Sequence, residues 1–531
     1  MVKAVQAEES ISEYFDGLLK NRVQAEVGLI VGKPSVGSRD LALAVVPTTS
    51  QDGEQVLALR QGSAASASKA KKAGAKVKSN EPAVSIDLES ELVAEHALQT
   101  FRMLPGGLAV LGLYLFAPES GYSSASSELC STLAAIAADS SSSAASASDE
   151  AIAAAATATV TAGVRGISAP AAVAAAAVPQ ELLLLHVDSS TRKFTMRSCQ
   201  AGSAATAAST LKPCELKFGP SLPSLVCLRC SHLFDFNLPA SSSQEQLQQL
   251  LQEAVAVEST RVRTAAAALN GSVPASSSQP LSELLPPGAG ASIAEATAVQ
   301  LLCLPHVSTA LRARSAGAGK VSSNGSSSCS GNFRLRGTVE AVAFVHKRDP
   351  VGKALQELKH DVTDSLAARL QLLEDDAAAA ADEAKQAAAG APGNGGSRGA
   401  AAAGEAAHPL LSAAGAGHCC RVGLARRVLL PWSSLGLQVC DYLAEADGPE
   451  IALEQAQQQL QLQGLQASQV LELEAPAAKK QKVVAGAAAG KAAAGAAGRS
   501  GASCSGAVLG AAVAGAAAAL AVAVAYINLG Q

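Results

Sequence analysis

Residues 95–116, EHALQTFRMLPGGLAVLGLYLF, change their hydrophobic period partway along, and that change decides the fold. Leading into them, Leu88, Leu92, Val93, His96, Ala97 and Phe101 recur at helical spacing and draw one apolar stripe. Pro105, Gly106 and Gly107 interrupt the stripe, because proline cannot continue a helix and glycine supplies a turn. Residues 108–116 then run without a charge, as a strand covered on both faces does. Helix, glycine corner and buried strand in succession predict an α/β body.

The same alternation continues in both directions. Upstream, Ile11, Tyr14, Phe15, Leu18 and Leu19 have helical spacing, and residues 27–31 and 41–46 read as a hairpin around Gly32, Pro34, Gly37 and Ser38. Downstream, residues 181–187, 193–197 and 225–238 are further strand candidates. A second unit begins at residue 333, where GTVEAVAFVHK reads as a strand and a helix starts at Pro350, whose missing N–H costs nothing at that position. Val351, Leu355, Leu358, Val362, Leu366, Leu370 and Leu373 form its stripe. RRVLLPW and LGLQVCDYL close the unit as a strand pair around Trp432.

Of 531 residues, 48% are hydrophobic but only 3% aromatic, since alanine supplies most of the apolar count. Alanine removes little area from water, at about 25 cal/mol per Å², so Ala/Ser/Gly tracts are poor core material. The expected organisation is a 1–240 α/β region with disordered insertions at 61–80 and 119–180, then a 241–332 stretch that is mostly linker, with a helix at 244–256 and a strand at 299–304. After it come a 333–474 α/β region with a disordered insertion at 377–418, a basic tether at 475–505 and a charge-free segment at 506–527. A net charge of −4 lacks the basic excess of a nucleic-acid binder. Eleven cysteines, odd in number and irregularly spaced, argue against a secreted disulfide scaffold.

Residues 506–527 at about 1.5 Å per residue would span about 33 Å as a helix, against a hydrocarbon core of about 30 Å. Gly506, Val508, Leu509, Val513, Leu520, Val522, Val524, Tyr526 and Ile527 would face or border lipid as a single-pass tail anchor. Lys479, Lys480, Lys482, Lys491 and Arg499 precede it, which keeps the body cytosolic by the positive-inside tendency.

Catalytic signatures are weak. Cys227-Leu-Arg-Cys230 with His232 lacks the second ligand pair of a structural zinc site, and no phosphate loop, HExxH or GxSxG occurs. His96 reads as a core histidine within its helical stripe. Asn270-Gly-Ser and Asn324-Gly-Ser match the glycan acceptor pattern. No cofactor is expected.

The 95–116 stretch, with LLHVDSSTRKFTMR at 184–197, the 337–361 strand and helix, and VLLPWSSLGLQVCDY at 428–442, resembles the odorant-response-abnormal-four family (odr-four homologs). Arg102, Met103, Leu104, Pro105, Gly106 and Gly107 are its most distinctive block. The resemblance implies a protein held in the endoplasmic reticulum membrane that assists folding or trafficking of G-protein-coupled receptors, in some members partnering a ubiquitin-fold-modifier-specific protease. A more distant resemblance places GLYLFAP at 112–118 on the G-W-Y-H-S-H-P of MPN-domain metalloproteases, and the 26–32 strand on the one carrying their catalytic glutamate. Leu115 and Ala117 then stand where zinc-binding histidines would be, Ser126 on the motif's serine and Leu129 on its aspartate. Without those ligands no bound water is activated, which implies an inactive MPN-like fold used for binding. The competing expectation is a metal-dependent isopeptidase-type hydrolase using His96 or Glu26.

Overall fold

The computed structural model describes residues 3–34, 39–50, 55–61, 84–145, 181–200, 211–239, 244–303, 332–390, 420–421, 423–432 and 435–474. The first half runs β1 (Ala4–Ala7), α1 (Glu9–Lys20), β2 (Glu26–Lys33), β3 (Arg39–Pro47), β4 (Leu57–Gln61) and β5 (Val84–Leu88). It continues with α2 (Ser90–Met103), β6 (Ala109–Ala117), α3 (Glu119–Ala145), β7 (Glu181–Asp188), β8 (Phe194–Gln200), β9 (Lys212–Pro213) and β10 (Glu215–Phe218). The second half adds β11 (Leu225–Pro239), α4 (Gln244–Thr264), β12 (Ala266–Leu269), β13 (Thr297–Leu302) and β14 (Asn332–His346). Then follow α5 (Val351–Gly390), β15 (Cys420–Arg421), β16 (Arg426–Trp432), β17 (Leu437–Leu443) and α6 (Pro449–Leu460).

An eight-stranded mixed sheet has the order β10-β1-β3-β2-β6-β7-β8-β9, and a five-stranded one the order β12-β13-β11-β14-β15. The hairpin expected at 27–46 is there as β2 against β3, and 181–197 pairs as β7 against β8. β6 runs parallel to β7 with α3 as the crossover. Every residue of β6 is buried, because helices cover both sides of it. On one face Ile11, Phe15 and Leu18 of α1 pack over Ile30, Leu111, Tyr114 and Phe116. On the other, Leu113, Leu115 and Ala117 join α2, α3 and the β16–β17 hairpin.

That second core does not stop at the large sheet. It continues through Trp432 and Val439 of the hairpin to Cys227 of β11 and Phe344 of β14, so both sheets share one apolar interior. The far face of the smaller sheet is closed by α4 and by the α5 stripe, in which Leu358, Val362, Leu366 and Leu370 are buried and Leu355 is half-buried.

Three expectations are corrected. Residues 119–145 of the low-complexity stretch form α3, with Tyr122, Ala125, Leu129, Leu133 and Ile136 buried. Residues of the 241–332 "linker" are structural: α4 runs to Thr264, and β12 and β13 pair at the edge of the second sheet. The helix from Val351 reaches Gly390, beyond the expected limit of 376. In α3 the few large side chains at period 3–4 outweigh the alanine and serine between them, and the alanine-rich end of α5 continues the helix through propensity. No helix among the described residues is long and apolar enough to cross a membrane. The tether and the 506–527 anchor, with all its named residues, lie outside the described residues, as do residues 62–80.

Candidate functional site

The RMLPGG corner sits where the two sheets meet. Arg102 is exposed, Met103, Leu104, Pro105 and Gly107 are buried, and Gly106 is half-buried. Gly106 forms a parallel bridge with Ala343 of β14. Its N–H lies 3.0 Å from the Val342 carbonyl, and its own carbonyl accepts from Phe344 N–H at 2.8 Å. A single residue of the first half thereby extends the second sheet. A Cβ at Gly106 would meet the Glu357 carbonyl at 2.7 Å, so the corner tolerates no side chain.

A buried ion pair holds this joint. Asp361 of α5 takes a two-pronged contact from Arg427 of β16, at 2.5 and 2.9 Å, with side chains 4% and 2% exposed. The remaining lone pairs of Asp361 accept from Gly106 N–H and Val342 N–H, each at 2.8 Å. Arg427 also reaches the Glu340 carbonyl and Cys440 Sγ, and the Cys440 thiol donates to the Met103 carbonyl at 3.4 Å. Burial opposes the charge on Arg427, but Asp361 beside it raises its pKa well above the ordinary value. Two charges out of water are tolerated when further hydrogen bonds satisfy them; Arg427 Nε is left without a partner among the described residues, but the carboxylate is fully engaged and joins α5, β14, β16 and the glycine corner. Next to it Glu474 accepts from Glu340 N–H at 2.8 Å, Arg427 N–H at 2.9 Å and the Arg369 guanidinium. Asp361, Arg427, Arg369 and Glu474 were not anticipated from sequence. The usable signal was a charge set among apolar stripe positions, as Asp361 is beside Leu358 and Val362.

The positions that resemble a metalloprotease do not converge. Leu115, Ala117 and Leu129 are fully buried in the core shared by the sheets. Glu26 pairs in register with Phe116 and faces the opposite side, where Tyr14 and Tyr114 hydroxyls donate to its Oε1 at 2.6 and 2.7 Å. Burial, and then the nearby Glu26 charge, raise both phenols above their ordinary pKa. Ser126 Oγ donates to the Ser123 carbonyl within α3. Among the described residues no group of three or more His, Cys, Asp or Glu side chains could hold a metal.

His96 is a linking histidine. Its Nε2 lies 2.7 Å from the Gln459 carbonyl at the end of α6, so it donates there, leaving Nδ1 to accept from Thr48 Oγ at 2.9 Å. Burial lowers its pKa. The surface dimple lined by Thr48, Thr49, Leu92, Glu95, His96, Gln99 and Gln458 holds about 20 Å³, room for roughly one water. Cys227 and Cys230 are buried on opposite faces of β11, Cys227 in the shared core and Cys230 under α4 and α5. They cannot grip one ion, and burial pushes both thiols up to about 12. Asn270 is exposed at a turn with Gly271, where both have positive φ; Asn324 lies outside the described residues.

Residues 28–469 match the family described as "Odorant response abnormal 4-like". A "Protein odr-4 homolog" from Xenopus tropicalis is 22% identical over 387 residues, covering 71% of this chain and 72% of the frog protein. The Mus musculus "Protein odr-4 homolog" is 23% identical over 307 residues, 56% of this chain and 60% of the mouse protein, less than two thirds of its length. A solved structure, UfSP from C. elegans, superposes with a TM-score of 0.35 and 7% identity over 89% of this chain and 58% of that one.

Proposed function

The chain belongs to the Odorant response abnormal 4-like family, and from that premise we propose that it is a non-enzymatic, membrane-anchored adaptor of the endoplasmic reticulum. It assists folding, trafficking or localisation of membrane proteins such as G-protein-coupled receptors, and tethers a ubiquitin-fold-modifier-specific protease to the same membrane. The observation that carries this reading is the family match across residues 28–469. The body is read as an MPN-like core without metal chemistry: on that resemblance Leu115, Ala117 and Leu129, all buried, stand where metal ligands would be, and an apolar side chain cannot activate water. The 506–527 segment would supply the anchor, with the body on the cytosolic side. Confinement to one surface raises the local concentration of a client, so a modest interface suffices.

The test compares the full chain with one ending at Ser505, each carrying a fluorescent tag, in cells that express a tagged G-protein-coupled receptor. The full chain should stay with carbonate-washed membranes and increase receptor at the cell surface, and the shortened chain should do neither. Release of the full chain by carbonate, or unchanged receptor delivery, overturns the proposal.

A further inference from the structure

On the α4–α5 side of the second sheet, away from the RMLPGG corner, three side chains from three elements line up. His232 of β11 is 5% exposed, and its Nε2 lies 2.7 Å from Oε1 of Glu258 on α4. Glu258 is ionised there: burial pushes its pKa up, but hydrogen bonds from His232 and Arg261 outweigh that and bring it below the ordinary carboxylate value. Arg261 secures the carboxylate at 2.8 Å to Oε1 and 3.1 Å to Oε2. A carboxylate only accepts, so His232 donates through Nε2–H and its Nδ1 keeps a free lone pair. Cys303, immediately after β13 and half-buried, has its Sγ 4.0 Å from that Nδ1. Thiol, imidazole and orienting carboxylate stand in the order that base-assisted nucleophiles require.

We propose that Cys303 is a nucleophilic thiol, with His232 as its general base and Glu258 as the positioning residue, and that it accepts an acyl group from a thioester. His232 Nδ1 takes the thiol proton as Sγ bonds to the thioester carbonyl carbon. The tetrahedral adduct collapses by breaking the original C–S bond, and the departing thiolate takes the proton from His232 and leaves as a thiol. The chain is left S-acylated, one sulfur having replaced another, with no oxidant or reductant. Burial raises the Cys303 pKa, Arg261 and Glu258 follow with opposite effects, and Lys359 of α5 lowers it, so the resting thiol is protonated and needs the base. This goes beyond the adaptor reading, which stands whichever way the test falls.

Cys214 is the internal reference: it is also half-buried with a pKa raised by burial, and its sulfur is engaged by the Ser198 side chain and the Lys212 carbonyl. The full chain is treated briefly with iodoacetamide across a pH series, and each cysteine is read by peptide mass spectrometry. Cys303 should react at least about tenfold faster than Cys214 at neutral pH, with a pH profile displaced to lower pH. His232→Gln should bring Cys303 down to the Cys214 rate without changing Cys214, and Glu258→Gln should move the profile toward that of Cys214. S-phenyl thioacetate should acetylate Cys303 in the wild type and not in His232→Gln. Equal rates and profiles for the two cysteines in the wild type overturn the proposal without any variant, which covers a variant that fails to fold. Fast alkylation without acetylation overturns the acyl-acceptor assignment.

Discussion

A methyl group at Gly107 would sit 2.2 Å from the Phe344 carbonyl oxygen, on backbone with φ of +79°. Gly107→Ala therefore combines a clash with a left-handed conformation that costs on the order of 1–3 kcal/mol by itself, and urea unfolding should show a loss of unfolding free energy of at least that size. Asp441 carries the pH dependence at this scale. Burial raises its carboxyl to about 7 in the folded chain, against about 3.9 unfolded. A raised carboxyl contributes stability that is complete below about pH 4 and lost as pH climbs through 7. Asp441→Asn has no such titration, so its stability relative to wild type should rise by on the order of 1 kcal/mol between pH 4 and 7.5, measured by urea unfolding at each pH. Gly106 and Gly107 were legible in the sequence because glycine beside proline has few uses. Asp361 and Arg427 were not, because Asp361 is partnered by Arg427 and two backbone amides, and nothing local marks a charge as paired with one 66 positions away.

Among the elements, those whose large side chains keep a strict period were readable to within a few residues. The α5 stripe is the clearest case. Leu366→Ala, at 1% exposure beneath the second sheet, should cost about 2–5 kcal/mol. Leu372→Ala, on the same helix at 40% exposure, should stay within about 0.5 kcal/mol, and thermal unfolding of the pair separates stripe from surface. α3 was missed although Tyr122, Ala125, Leu129, Leu133 and Ile136 have helical spacing, because serine and alanine dominated its composition. Helix propensity and a sparse stripe suffice when a neighbouring sheet offers an apolar floor. α4 was recognised only in part, since its C-terminal turns bury Glu258 and Ser259, polar residues that break an apolar pattern, and Glu258 takes a partner from β11 in His232.

For the whole molecule, one apolar interior runs from the large sheet through the β16–β17 hairpin into the smaller sheet, and the order of strands along the chain gave no sign of that junction. The only tryptophan, Trp432, is 4% exposed inside it. Its fluorescence reports the junction while far-UV circular dichroism reports all helices and strands, so the two urea transitions should coincide; a tryptophan transition at lower urea would show the hairpin opening by itself. The glycine corner also has a place in time. Gly106 waits for Asp361, 255 residues further along, and at about 5–20 residues per second the ribosome needs roughly 13–50 s to deliver it. During that interval the nascent chain presents an unpaired peptide edge and an uncovered greasy floor, so the newborn molecule depends on outside shielding until its second half emerges.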